Sequence, residues 1–224
     1  MYELLVANEL GVSCIYEFYD MGRCDESEKA CRHVETAVKA GANRILVVPG
    51  FLSGNASLQM QKAMPVQEKI IAFFESNDKI KRMAEGLSFV AKYGAEKGVT
   101  VTVEDFDGLD SPLAGMYGIQ WFLQQVPKLM YTLDIGNFLF YGEKVLDAFE
   151  LLKDRIAHVH CKDRQPETNA SLQTGTGYIP FTEVLEKLKK QNYDGYLAIE
   201  HFDVEGQEEC MKGSAEFLES FVST

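Results

Sequence analysis

The sequence contains no run approaching 18 consecutive apolar residues, so it offers no transmembrane helix, and no membrane partner is expected. Its start, Met1-Tyr2-Glu3-Leu4-Leu5, lacks the basic segment and long apolar core of a secretory signal. Cysteine is sparse. The five residues Cys14, Cys24, Cys31, Cys161 and Cys210 make an odd number with no CxxC spacing, which argues against a disulfide framework or a zinc finger. Reduced thiols and a cytoplasmic location are the expectation. Positive charge is also scarce: 22 Lys and Arg stand against 34 Asp and Glu, for a formal net charge of −12. The basic residues are scattered, and the densest run, Lys187-Leu188-Lys189-Lys190, reads as the solvated side of a helix. Such a surface repels phosphate backbones, so no nucleic acid is expected as a partner.

What is present is ordinary for one globular domain spanning 1–224: 46% apolar and 25% charged residues. Short apolar runs alternate with longer amphipathic stretches, the pattern of βα units around a parallel sheet. Six strands are predicted, at Val12–Phe18, Arg44–Pro49, Val99–Glu104, Leu129–Asp134, Ile156–Cys161 and Tyr196–Glu200. Helices are predicted at Glu26–Lys39, ending on Gly41, and at Gln67–Glu96 with an interruption near Asn77-Asp78. Others are predicted at Leu113–Gln125, Lys144–Lys153, Phe181–Gln191 and Glu208–Phe221, while Met1–Leu10 reads as the tail of a helix.

Side-chain parity within the strands carries most information, because alternate residues point to opposite faces. Val99, Val101 and Val103 oppose Thr100, Thr102 and Glu104; Leu129, Tyr131 and Leu133 oppose Met130, Thr132 and Asp134. Ala157, Val159 and Cys161 oppose Ile156, His158 and His160; Leu197 and Ile199 oppose Tyr196, Ala198 and Glu200. Each of these four strands has an apolar face for a helix layer and a second face ending in an ionisable residue. In (β/α) barrels, residues at the C-terminal ends of several strands build the active site. A single such residue reads as a cap or salt-bridge partner; four at matching parity and position read as a site.

Two Glu, one Asp and one His form a ligand set for a hard or borderline divalent ion: Mg²⁺ or Mn²⁺ by the carboxylates, Co²⁺ or Zn²⁺ by the imidazole. A cation also relieves the repulsion among three clustered carboxylates. The remaining candidates read as structural. His158 is a core histidine, His33 belongs to a helix, and His201 has the parity of the helix layer. Trp121 and Phe122 pack a helix face, and Cys161 points outward and is no nucleophile.

Several stretches resemble the xylose isomerase-like barrel superfamily, which includes sugar epimerases, sugar-phosphate isomerases, hydroxypyruvate isomerase, inosose dehydratase and endonuclease IV. Val101-Thr102-Val103-Glu104 resembles its strand ending in a metal-binding Glu. Thr132-Leu133-Asp134-Ile135-Gly136-Asn137 resembles the LDxGN/H motif, and His158-Val159-His160-Cys161-Lys162-Asp163 resembles HxHxKD. Ala198-Ile199-Glu200 resembles the last strand, and Gly175-Thr176-Gly177-Tyr178-Ile179-Pro180-Phe181 the Gly-x-Gly loop before the following helix. The helix–strand unit at Ala37–Val48 also fits. The resemblance runs from about Glu26 to Glu200. It implies a TIM-type barrel with one divalent ion held by Glu104, Asp134, His160 and Glu200, and a sugar-like α-hydroxy carbonyl substrate. Proton transfer through an enediolate would use Glu104 and Glu200 as base and acid, with Asn137, Lys162 and Asp163 near the substrate.

Members of that superfamily begin with a strand, a helix and a second strand that have no counterpart here. Six barrel strands are recognisable: either the barrel is incomplete, or a partner subunit fills the gap, or the sequence starts late, and dimerisation covering an open sheet edge is expected. Two rival readings follow. A non-catalytic barrel would keep the site residues as a binding protein. An endonuclease IV-like nuclease would need further His and Asp ligands, but the chain has four His in all, Asn137 stands where that enzyme's DxxH motif has its His, and no Asp-x-His pair follows His160.

Overall fold

The computed structural model describes residues 2–165, 168, 170–202 and 204–222. Met1, the first residue of the expected helix tail, lies outside them. The fold divides into two compact units, 1–131 and 132–224.

The first unit contains α1 (Tyr2–Ala7), β1 (Ile15–Phe18), α2 (Ser27–Ala40), β2 (Arg44–Val48), α3 (Gly54–Ala63), α4 (Gln67–Ser76), α5 (Asp78–Glu96), β3 (Thr100–Glu104) and α6 (Met116–Gln125). β1, β2 and β3 pair in parallel, with Ile15 opposite Ile45 and Arg44 opposite Thr100. β1 is shorter than expected, its ladder with β2 beginning at Ile15. The break near Asn77 is a helix junction: the Asn77 side chain accepts from Lys79 N at 3.0 Å and Ile80 N at 3.2 Å, capping α5. Met83, Leu87, Val90 and Ala91 of α5 are buried with Val101 and Val103 of β3, and each large side chain buried this way contributes roughly 1.5–3 kcal/mol. Trp121 and Phe122 pack with Phe74 at centroid distances of 5.3 and 5.9 Å, as helix-face residues do. The helix α3 was not expected; only Ser57 and Met60 of its ten residues are buried, so its apolar face is too narrow to show as a period.

β4 (Met130–Asp134) leads into the second unit, which continues with a 3₁₀ turn (Asn137–Tyr141), α7 (Val145–Leu152), β5 (Ile156–Cys161), β6 (Asp163–Arg164), β7 (Ser171–Leu172), α8 (Phe181–Lys190), β8 (Leu197–Ile199) and α9 (Gln207–Val222). β5 and β8 pair in parallel, with His160 opposite Ala198. Val159 and Cys161 have no exposure, as the outward parity of that face requires. The two-residue strands β6 and β7 form a small antiparallel pair that sequence periodicity did not reveal.

The sheet order is β1-β2-β3-β4-β5-β8, the sequential order of a TIM-type α/β fold, and six strands build it among the described residues. No described helix is long and apolar enough to cross a membrane.

Candidate metal centre

Asp134 ends β4, and the chain turns at once. Its Oδ1 accepts from the backbone N–H of Gly136 at 2.8 Å and of Asn137 at 3.1 Å. A short polar side chain caps its own turn in this way and starts the 3₁₀ segment. Glycine at 136 is dictated by proximity: a Cβ there would lie 2.1 Å from the carbonyl oxygen of Lys162. The N–H of Ile135 donates to His160 O at 3.0 Å, which ties the end of β4 to β5.

His160 Nδ1 lies 2.9 Å from Glu200 Oε2. The Lys162 ammonium lies 3.0 Å from Asp134 Oδ2 and 3.0 Å from Glu200 Oε1. Burial pushes the Glu200 carboxyl up, but the His160 hydrogen bond and the Lys162 charge outweigh it and hold the group down to about 2. Glu200 is thus ionised at neutral pH.

Asp134, His160 and Glu200 each offer a ligand atom, and these atoms lie within 4.8 Å of one another. A cluster of this kind can bind a metal. Two carboxylates and an imidazole fit the donor preferences of Mg²⁺, Mn²⁺, Co²⁺ or Zn²⁺. Lys162 shows independently that the two carboxylates are arranged around positive charge. Glu104 ends β3 in the first unit and is buried.

The other residues singled out in the sequence fall as follows. Asn137 is buried, and its Oδ1 accepts from Arg164 Nη2 at 2.9 Å and Lys162 Nζ at 3.3 Å. Asp163 is buried with both oxygens on backbone amides: Oδ1 accepts from Arg164 N at 2.8 Å, Oδ2 from Gly175 N and Gly177 N, each at 2.9 Å. Burial raises its pKa, opposed by those N–H donors. His158 is buried beside His160, ring centroids 5.1 Å apart. His201 reaches Ser214 on α9, the helix layer its parity indicated. His33 is held by Tyr19. Burial pushes the Cys161 thiol up, so it is inert as a nucleophile. Arg164 was missed: a charged residue in a two-residue strand has no periodicity to betray that it is buried.

A family model described as xylose isomerase-like TIM barrel matches residues 7–221. A protein of Escherichia coli (strain K12) that carries the provisional name L-ribulose-5-phosphate 3-epimerase is 29% identical over 153 residues, covering 62% of this chain and 52% of that protein. The inosose dehydratase of Histophilus somni (strain 129Pt) is 27% identical over 176 residues, covering 68% of this chain and 57% of the relative. The chain thus spans little more than half the length of these curated relatives. A solved xylose isomerase-like TIM barrel protein from Mycobacterium smegmatis, in complex with magnesium, superposes with a TM-score of 0.70 at 18% identity, over 99% of this chain and 76% of that one.

Proposed function

Because the chain belongs to the xylose isomerase-like TIM barrel family, we propose that it is a divalent-metal-dependent isomerase or epimerase acting on a sugar, a sugar phosphate or a related α-hydroxy carbonyl compound. The observation that carries this reading is the grouping of Asp134, His160 and Glu200, donated by the ends of three strands. Glu104 ends β3 as Asp134 ends β4, the strand position the ligand set requires. We assign it as the fourth ligand. The relatives support a sugar-like substrate, since one carries a sugar-phosphate epimerase name and another is an inosose dehydratase.

A divalent ion held there, whether Mn²⁺, Mg²⁺, Co²⁺ or Zn²⁺, would supply a Lewis-acid centre that favours negative charge on neighbouring oxygens. The chain's own groups do the rest. Asp134 and His160 hold. Glu104 and Glu200 move the carbon-bound proton, one as base and one as acid. Glu200 is ionised and able to accept a proton. Asn137 and Lys162 are assigned to substrate oxygens, and Asp163 shapes the loop it binds. β1 and β8 end the strand order, and association of two chains over one such edge belongs to the same proposal; sedimentation at several concentrations tests it.

A panel of ketoses, sugar phosphates, hydroxypyruvate and inososes, incubated with Mn²⁺ in D₂O, tests the chemistry. Isomerase or epimerase action places solvent deuterium on carbon. The dehydratase relative supports a second reading, elimination of water after the same proton removal, which would give a conjugated, ultraviolet-absorbing product. Glu200→Gln and Glu104→Gln should each lower turnover by roughly 10²–10⁴-fold with the fold retained. A metal-loaded chain inert on the whole panel would favour the non-catalytic barrel.

A further inference from the structure

We infer that Thr174 is a positioning residue that sets the separation of His160 and Glu200; this rests on the metal-centre reading above. No sequence pattern marks Thr174, yet it has 0% exposure and sits where three segments meet. Its hydroxyl donates to Cys161 O at 3.2 Å, one residue beyond His160. That same carbonyl accepts the N–H of Glu200 at 3.3 Å. Its own N–H donates to Ser214 Oγ on α9 at 2.8 Å. The Ser214 hydroxyl in turn lies 3.1 Å from His201 Nε2, one residue beyond Glu200. Thr174 therefore reaches both ligand-bearing segments through short polar links.

The loop that carries Thr174 is itself pegged. Asp163 binds Gly175 N and Gly177 N, and a Cβ at position 177 would lie 2.2 Å from Asp163 Oδ1. Asp163, Thr174, Ser214 and His201 are all buried. Each bond lost in such a set strands a polar group away from water, so the arrangement is stiff. Groups behind metal ligands that fix their orientation commonly change metal affinity by about 10–100-fold. A purely structural tie would alter stability and leave that affinity alone.

The test compares Thr174→Val, which keeps the shape and loses the hydroxyl, with Thr174→Ser, which keeps the hydroxyl. Mn²⁺ affinity is read from the resonance of the free ion, and the Glu200 amide shift of the metal-free chain from NMR. We expect Thr174→Val to bind Mn²⁺ at least about 10-fold more weakly and to move the Glu200 amide, and Thr174→Ser to stay within about threefold of the parent. A folded Thr174→Val chain with parental affinity and an unmoved Glu200 amide overturns the inference. Should Thr174→Val not fold, Ser214→Ala is judged by the same two readouts. A parent chain that binds no Mn²⁺ refutes the metal-centre reading instead, and the Glu200 amide then decides whether Thr174 positions that segment.

Discussion

Lys162 and Asp134 form an ion pair, Nζ to Oδ2 3.0 Å, in which the lysine side chain is 3% exposed and the aspartate 0%. The same ammonium serves Glu200 at 3.0 Å. Removing one partner of a buried pair leaves the other's charge uncompensated, which costs more than the pair contributes.

Lys162→Met should therefore destabilise the metal-free chain by about 3 kcal/mol, read by urea unfolding. Saturating Mn²⁺ should recover much of that loss, because a cation can replace the missing positive charge. Equal stability of parent and variant without metal would show that the pair is not what holds these carboxylates.

Gly136→Ala brings a methyl group to 2.1 Å from Lys162 O, where only backbone movement can relieve the clash. The expected cost is about 3 kcal/mol, accompanied by weaker Mn²⁺ binding because the Asp134 turn moves with it. Denaturant midpoints and metal titration check both.

Acid should weaken the first unit through His33. Its Nε2 lies 3.1 Å from Ile15 O, and its Nδ1 lies 3.0 Å from Tyr19 Oη. A carbonyl only accepts, so Nε2 carries the proton and the Tyr19 hydroxyl donates to Nδ1. Burial lowers the His33 pKa from 6.5, outweighing the upward pull of the Ile15 carbonyl and Glu17. The unfolded chain then binds the proton more readily than the folded one. This contribution is whole above 6.5 and shrinks as pH falls below 6.5 towards the folded value. Urea midpoints across that range should drop, and His33→Gln should flatten the part of the slope that this residue supplies.

Asn77→Ala should cost about 1 kcal/mol by removing the cap of α5, whereas Asn77→Asp should retain most of it. Thermal melts of the two variants make the comparison.

The strands were legible because their apolar residues alternate and their ends are charged; Val101, Val103, Leu133 and Val159 bury as parity required. His201 reached α9 for the same reason. What escaped has no period to read. α3 buries only Ser57 and Met60. β6 and β7 have two residues each. Thr174 lies in a turn and Arg164 in the short β6, where burial is decided by partners distant in sequence. Asp163 was expected near a substrate, whereas its backbone partners at Gly175 and Gly177 depend on a loop path that spacing alone does not give.

The Asp134 turn also limits which ions suit the centre. With Oδ1 committed to two main-chain amides, only Oδ2, which faces Lys162, would be left for an ion. Calcium favours six to eight oxygens and often takes a carboxylate by both. If the proposed centre takes one atom from this side chain and a nitrogen from His160, calcium should compete poorly there with smaller cations.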